Sequence, residues 1–330
     1  MSSLGLIGKI KRSFRRRESG ADSSWTREDW IAFSAKQAGY RAARTAVAAL
    51  PAERLISRST VLSSKIPTQE DLSSNWARYW LGELGEPVRF HRQPWEFAYV
   101  LQSLRNARAI GQNVRALVLG QQRNALLSYL AARGVHHTVL VKPTDVVDSS
   151  VPMSAQIRAA SHRHELVAGD RFDAAVVGRV GHLSDLAAEL ADFDVVWSLD
   201  HLNRLGNAEA ARAEILAAVE RLKPGGVGVF VFDLDLSSEG VDPASHRMRR
   251  GDLRLIAKEV ISRGHYLAPL NLKAGSGPLD CFIDTPPYPG RISDDLKEVW
   301  SDGALHMKLL IGGAVCTSFG MTIIRGPSPN

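Results

Sequence analysis

Asp200-His201 lies just after the strand-like run Asp194–Trp197, so a carboxylate and an imidazole stand side by side where either could take a proton from an acceptor hydroxyl or amine. General-base catalysis by histidine contributes on the order of 10²–10⁴ in rate. The same pair also suits a polar loop that caps the next helix. Asp233-Leu234-Asp235 follows the apolar run Val227–Phe232 and has the spacing by which paired carboxylates hold a hard divalent cation. His136-His137 and His162-Arg163-His164-Glu165 offer imidazoles, the commonest metal ligand. Neither sets two ligands on one helical face with a third nearby, so both groups are read as surface histidines. His306 and Lys308 could face an anionic or sugar substrate, or edge the last strands.

Positioning these groups falls to a regular alternation that begins near Asn75. Ala116–Leu119, Thr138–Val141, Ala174–Val177, Asp194–Trp197 and Val227–Phe232 are short apolar runs that predict strands, and Ala125–Ala132 and Ala208–Leu222 have helical spacing between them. Strand and helix in alternation imply an α/β domain with a mostly parallel sheet covered on both faces. Such sheets bind ligands outside the carboxyl ends of their strands. Before this domain, Trp25 to about Ile56 predicts a helical arm that packs on the main domain or on a partner, and Ser57–Ser64 with Pro67 break the pattern. The expected organisation is a tail and linker over 1–24, an arm over 25–75 and a main domain over 76–330.

Two cysteines, Cys281 and Cys316, are too few for a disulfide framework and lack metal-site spacing, which points to a reducing cytosol. The longest apolar runs fall well short of the roughly 18 residues of a membrane span. The net charge of +6 equals the contribution of Lys9, Lys11, Arg12, Arg15, Arg16 and Arg17, so the rest of the chain is close to neutral. A broad phosphate-binding face, and with it nucleic acid as a partner, is argued against. Ile7, Ile10 and Phe14 recur at spacings of three and four among those cations. Residues 4–17 thus have the pattern of a basic amphipathic helix that could lie on an anionic membrane surface, the inner face for a cytoplasmic protein; the composition equally suits a solvated tail.

Several segments, in this order, resemble a group of bacterial class I S-adenosylmethionine-dependent methyltransferases associated with polysaccharide and glycan biosynthesis. They are His91-Arg92-Gln93-Pro94-Trp95-Glu96-Phe97-Ala98-Tyr99, Ser128-Tyr129-Leu130-Ala131-Ala132-Arg133-Gly134 and Glu220-Arg221-Leu222-Lys223-Pro224-Gly225-Gly226. The C-terminal part is the most specific: Gly277-Pro278-Leu279-Asp280 with Asp284, Pro286, Pro287 and Tyr288, then His306-Met307-Lys308-Leu309-Leu310-Ile311-Gly312-Gly313 and Thr317-Ser318. The resemblance implies a Rossmann-like, seven-stranded methyltransferase sheet whose last strands lie near Thr317–Ile324. It also implies S-adenosylmethionine as cofactor, held by the turn at Gly120 and Gln122, by the end of the second strand at Val141 and by the loop at His182. Asp200, His201 and His306 would then stand on the acceptor side.

The cofactor positions depart from the group's pattern. Of three expected glycines after the first strand only Gly120 is present, with Val118 and Gln122 at the others. The second strand should end in a carboxylate for the ribose hydroxyls, but Val141 is followed by Lys142-Pro143, and the next acid is Asp145. No acid stands at Gly181 or His182, and Asn203-Arg204 replaces an expected Glu-His pair. Two functions follow as expectations: methyl transfer to an oxygen or nitrogen of a glycan or cell-envelope precursor, or a noncatalytic pseudo-methyltransferase that scaffolds a partner enzyme through its arm and basic tail. A third, a metal-dependent glycosyltransferase, would require Asp233 and Asp235 to converge on a cation.

Overall fold

The computed structural model describes residues 27–327 apart from 53, 58, 187–188 and 287–304. The basic tail and the motif residues Pro287 and Tyr288 therefore lie outside the described residues.

Helix α1 (Arg27–Ala48) forms the arm and stops before Leu50-Pro51, because the residue before a proline is driven out of the helical region. The following segment is not helical. It contributes a short strand, β1 (Ser64–Lys65), to the main sheet before α2 (Gln69–Ser73), α3 (Asn75–Leu84), β2 (Phe90–His91) and α4 (Arg92–Asn106). The alternating unit then runs β3 (Arg115–Leu119), α5 (Leu126–Ala131), β4 (His136–Val141), α6 (Met153–Ser161), α7 (Gly169–Ala175), β5 (Val176–Val180), β6 (Phe193–Leu199), α8 (Ala208–Val219) and β7 (Leu222–Asp235). It closes with β8 (Met248–Arg249), α9 (Arg250–Ser262), β9 (Tyr266–Leu267), β10 (Leu270–Asn271), β11 (Leu305–His306), β12 (Lys308–Ile311) and β13 (Ala314–Ile324).

Strands β5, β4, β3, β6 and β7 lie side by side in that order, all parallel, and β13 adds to β7 in the antiparallel sense. β9 pairs with β13 and so completes seven strands in the order of a class I methyltransferase sheet. The short strands β1, β8, β10 and β12 extend it to eleven. The expected Rossmann-like α/β fold with a helical N-terminal extension is thus the observed one. Ala174 and Ala175, expected in a strand, instead finish α7, and β5 starts at Val176.

Side-chain alternation sorts the core into two layers, as a sheet buried on both faces demands. Val118, Val139, Val141, Val229 and Val231 face a layer with Trp95, Tyr99, Leu126 and Tyr40 of the arm, while Leu117, Leu119, Leu140, Phe230 and Phe232 face α8 and α9. The Lys223-Pro224-Gly225-Gly226 turn lies within the first residues of β7, where the register with β6 shifts. Gly225 has φ +80°, and a Cβ on Gly226 would lie 2.9 Å from the Lys223 carbonyl oxygen, so neither position accepts a larger residue without strain.

Candidate functional site

Strand order reverses between β3 and β6, and the crevice above their carboxyl ends is where a doubly wound sheet holds its ligand. Gly120 leaves β3 with φ +79°, its backbone N–H donating to the Leu140 carbonyl at 2.8 Å. Behind it stands the His201 ring, whose Nδ1 would lie 3.1 Å from a Cβ placed on Gly120. His201 is 4% exposed, and its Nε2 meets Glu214 Oε1 at 3.2 Å. It backs the turn.

Gln122 is 2% exposed, so its side chain occupies the crook of that turn. Its Nε2 donates to the Leu119 and Gly120 carbonyls, both at 3.2 Å, and its Oε1 accepts from Asn124 Nδ2 at 3.1 Å. Ser161 Oγ donates to its backbone carbonyl. At the end of β4, Val141 is buried in the core, and Lys142 Nζ reaches the Arg204 carbonyl oxygen at 3.4 Å. His182 is exposed beyond β5. Gly120, Gln122, Val141 and His182 therefore follow neighbouring strands, as the resemblance implies, but they do not fit an adenosyl ribose. A cation stands where two hydroxyls need a carboxylate, and an amide with its own partners fills the space that a glycine would open.

A second hollow lies one strand further along, a cavity of about 300 Å³ lined by His91, Arg92, Glu96, Asp200, Asn203, Asp233 and His306 among others. Asp200 closes β6 with φ +61° and pairs with Arg204 at 2.6 Å, while accepting from Asn203 Nδ2 at 2.9 Å. Asn203 Oδ1 in turn accepts the Asp233 backbone N–H at 2.8 Å, so Asn203 ties the β6 loop to β7. Arg92 meets Asp233 at 2.5 Å, and Ser318 Oγ donates to Glu96. Burial pushes the Glu96 carboxyl up, against the opposing pull of Arg92 and Ser318.

The floor of this cavity is a pair of imidazoles. β2 and β11 form a two-stranded parallel sheet that sets His91 beside His306, rings stacked at 4.7 Å. His91 caps α4 by accepting the Gln93 N–H on Nδ1 at 3.0 Å, which requires that nitrogen to be unprotonated. Burial, followed by the charges of His306, Arg89 and Arg92, pushes its pKa down to about 2, so it stays neutral. His306 Nδ1 stands 2.6 Å from Asp284 Oδ2. The buried Asp284 carboxylate thereby orients the His306 ring.

Of the three residues expected on the acceptor side, Asp200 and His306 share the cavity, and His201 sits apart under the crevice. Lys308 does not face it; its ammonium donates to the Ala274 and Asp280 carbonyls. Asp233 and Asp235 are each matched by a separate arginine, Arg92 and Arg249. Among the described residues no group of three or more His, Cys, Asp or Glu is arranged to hold a metal ion. His137, expected at the surface, is buried on β4, and its pKa falls to about 3 through burial first and the neighbouring His136 second.

The cavity region brings together part of the segments that carried the resemblance: the run from His91 to Glu96 meets His306 and Ser318, and His306 meets Asp284. Reading the sequence for reactive pairs missed the partnerships of His91, Arg92, Glu96 and Asp284, because each partner lies far along the chain.

No family model matches the chain, and no curated protein matches it in sequence. Among solved structures, it is similar to a candidate sarcosine dimethylglycine methyltransferase from Galdieria sulphuraria, with 14% identity over 78% of this chain and 100% of that one and a TM-score of 0.43. An arsenic(III) S-adenosylmethionine methyltransferase from Chlamydomonas reinhardtii gives 16% identity over 67% and 66% of the two chains, with a TM-score of 0.38. A TehB-like SAM-dependent methyltransferase from Corynebacterium glutamicum gives 16% identity over 77% and 97%, with a TM-score of 0.36. The chain is methyltransferase-like in fold, as its own strand order states.

Proposed function

We propose that this chain is a pseudo-methyltransferase: a methyltransferase-fold protein that holds a ligand at the carboxyl edge of its sheet and does not methylate it. The observation that supports this reading is the buried Gln122 amide, bonded to the carbonyls of its own turn, together with a lysine, Lys142, in place of a carboxylate after the second strand of the alternating unit. The ligand belongs in the neighbouring cavity, where carboxylates, an arginine, an amide and His306 alternate as acceptors and donors. That lining suits a hydroxyl- or amine-bearing molecule, and within the proposal it is a glycan or cell-envelope precursor presented to a partner enzyme. Residues 4–17 would hold the protein on the anionic inner face of the membrane, since each cation near such a surface contributes about 1 kcal/mol. No described helix is long and apolar enough to cross a membrane.

A second reading, methyl transfer from S-adenosylmethionine to an acceptor oxygen or nitrogen, is favoured by the Asp284–His306 pair, which has the form of an oriented base. Isothermal titration of the full chain with S-adenosylmethionine and S-adenosylhomocysteine separates the two. The proposal expects no heat of binding at millimolar ligand. Micromolar binding of either compound overturns it in favour of the enzyme.

A further inference from the structure

A third hollow, a cavity of about 340 Å³, lies at the opposite edge of the sheet from the other two. Its walls are α3, the last turn of α4, the end of α5 and the loop 110–112, which leads into β3 at that strand's amino end. The carboxyl edge, where such a fold holds its customary ligand, is therefore not involved. A volume above about 300 Å³ is on the scale of a small-molecule site.

The back of this cavity is aromatic and rigid. Trp80 and Tyr129 are each 2% exposed and meet edge to face with ring centres 6.1 Å apart, while Tyr79 packs on Trp80 at 4.9 Å and stays partly exposed. The Trp80 indole N–H donates to Gln102 Oε1 at 2.7 Å, which fixes the ring. Two guanidiniums stand against this wall. The Arg133 guanidinium carbon lies 3.3 Å from the centre of the Tyr129 ring, and the group donates to the Tyr129 carbonyl at 3.2 Å and to Glu83 Oε2 at 2.7 Å. Glu83 Oε2 also accepts the Tyr129 hydroxyl at 3.0 Å. A guanidinium carries five N–H donors, so Arg133 is held in orientation with donors to spare. Arg105, exposed on the last turn of α4, has no side-chain hydrogen bond or ion pair among the described residues. Both charges reach Tyr79: burial first and Glu83 next raise the pKa of its hydroxyl, and Arg133 and Arg105 oppose them. Ser57 Oγ, in the same wall, is buried without a hydrogen-bond partner.

We infer that this cavity is a separate ligand site for an aromatic carboxylate, with the ring of the ligand against Tyr79 and its carboxylate between Arg105 and Arg133. Two guanidiniums and Glu83 leave one positive charge unmatched, which a single carboxylate balances and a phosphate dianion overshoots. The planar fork of a guanidinium matches a carboxylate with two parallel hydrogen bonds. A ring-bearing ligand replaces water over an apolar wall that is already in place, so little ordering opposes its binding. The site stands apart from the pseudo-methyltransferase reading, which concerns the other edge of the sheet.

Isothermal titration of the full chain with benzoate, 4-hydroxybenzoate and indole-3-acetate, each beside its amide, tests the assignment, because an amide keeps the shape of the acid without its charge. At least one acid is expected to bind with a dissociation constant of about 100 µM, and its amide about tenfold more weakly through loss of the charge-assisted hydrogen bonds. Arg105 has no partner to lose, so Arg105→Gln is expected to fold as wild type does, to weaken the acid about tenfold and to leave the amide unchanged, which abolishes the preference. Arg105→Lys keeps the charge and is expected to restore part of it. The absence of heat from all three acids at millimolar ligand overturns the inference. An acid affinity that Arg105→Gln does not move also overturns it, since the anion then binds elsewhere, as does equal affinity for acid and amide. Failure of the pseudo-methyltransferase reading looks different: S-adenosylhomocysteine would bind, and equally well to wild type and to Arg105→Gln.

Discussion

Two hollows share the carboxyl edge of one sheet, and they are built in opposite ways. At the crevice above β3 two side chains bond the protein itself: Gln122 bonds the carbonyls of its own turn, and Lys142 bonds the Arg204 carbonyl. In the cavity beside β7, polar groups are matched in pairs around open volume, with Arg92 against Asp233, Asp200 against Arg204 and His306 against Asp284. An amide whose donors are bonded inside its own turn is directed inward, whereas groups that line a cavity can present atoms to its open side.

The comparison breaks most visibly if the crevice can be reopened. Gln122→Gly removes the amide, and Lys142→Glu replaces the cation with a carboxylate that can accept from both ribose hydroxyls. Together these changes are expected to bring S-adenosylhomocysteine binding from undetectable at millimolar ligand to tens of micromolar, about a hundredfold or 2.7 kcal/mol. Isothermal titration of the folded double variant measures it. If binding does not appear, the crevice is closed by more than these two side chains.

The cavity makes a prediction about acid. His91 has a folded pKa of about 2 against an ordinary value of 6.5, so between those values the unfolded chain binds a proton that the folded one refuses. Its contribution is fully present above pH 6.5 and is lost as the pH falls toward 2. His91→Asn keeps a side-chain acceptor for capping α4 and cannot titrate. Urea unfolding at pH 6 and pH 4 should show the variant gaining on wild type by about 2 kcal/mol over that interval, from about 1.4 kcal/mol per pH unit at full linkage. Parallel pH dependence in the two proteins would mean that His91 is protonated in the fold and that the stack with His306 is a charged one.

How much of this was readable beforehand divides along the same line. The strands were legible because alternation and parallel burial leave period and composition in the chain, as in Val227–Phe232. The composition of the crevice was legible too, since Gly120, Gln122, Val141 and Lys142 stand within short range of the strands that define it. The cavity was legible only in part. His306 stood out through the resemblance, but His91 reads as one residue ahead of a helix until β2 and β11 pair. His137 shows the limit of reading polarity as exposure, because strand alternation turns it inward. Lys36 looks like an ordinary surface lysine among alanines, yet it is 2% exposed and pairs with Asp284. The available signal was its place between Phe33 and Tyr40 in the buried stripe of α1, and a stripe interrupted by one charge implies an opposite charge elsewhere without saying where.

The smallest expected effect concerns the glycine that the crevice retains. Gly120 could persist because a ligand must approach its backbone, or because the turn itself demands it, and the structure supplies the second reason in full. Its φ of +79° strains any residue with a Cβ, and that Cβ would meet the His201 side chain, itself held by Glu214, at 3.0–3.3 Å. Gly120→Ala is expected to cost about 1–2 kcal/mol of stability through the left-handed backbone and the displaced imidazole. The His306 NMR resonances on the other side of β6 should stay where they are. Denaturant unfolding together with the histidine spectrum tests both parts at once. A stability loss with an unmoved His306 marks Gly120 as a packing residue of a closed crevice. A His306 shift as large as that of a cavity variant would show instead that the two hollows are mechanically one site.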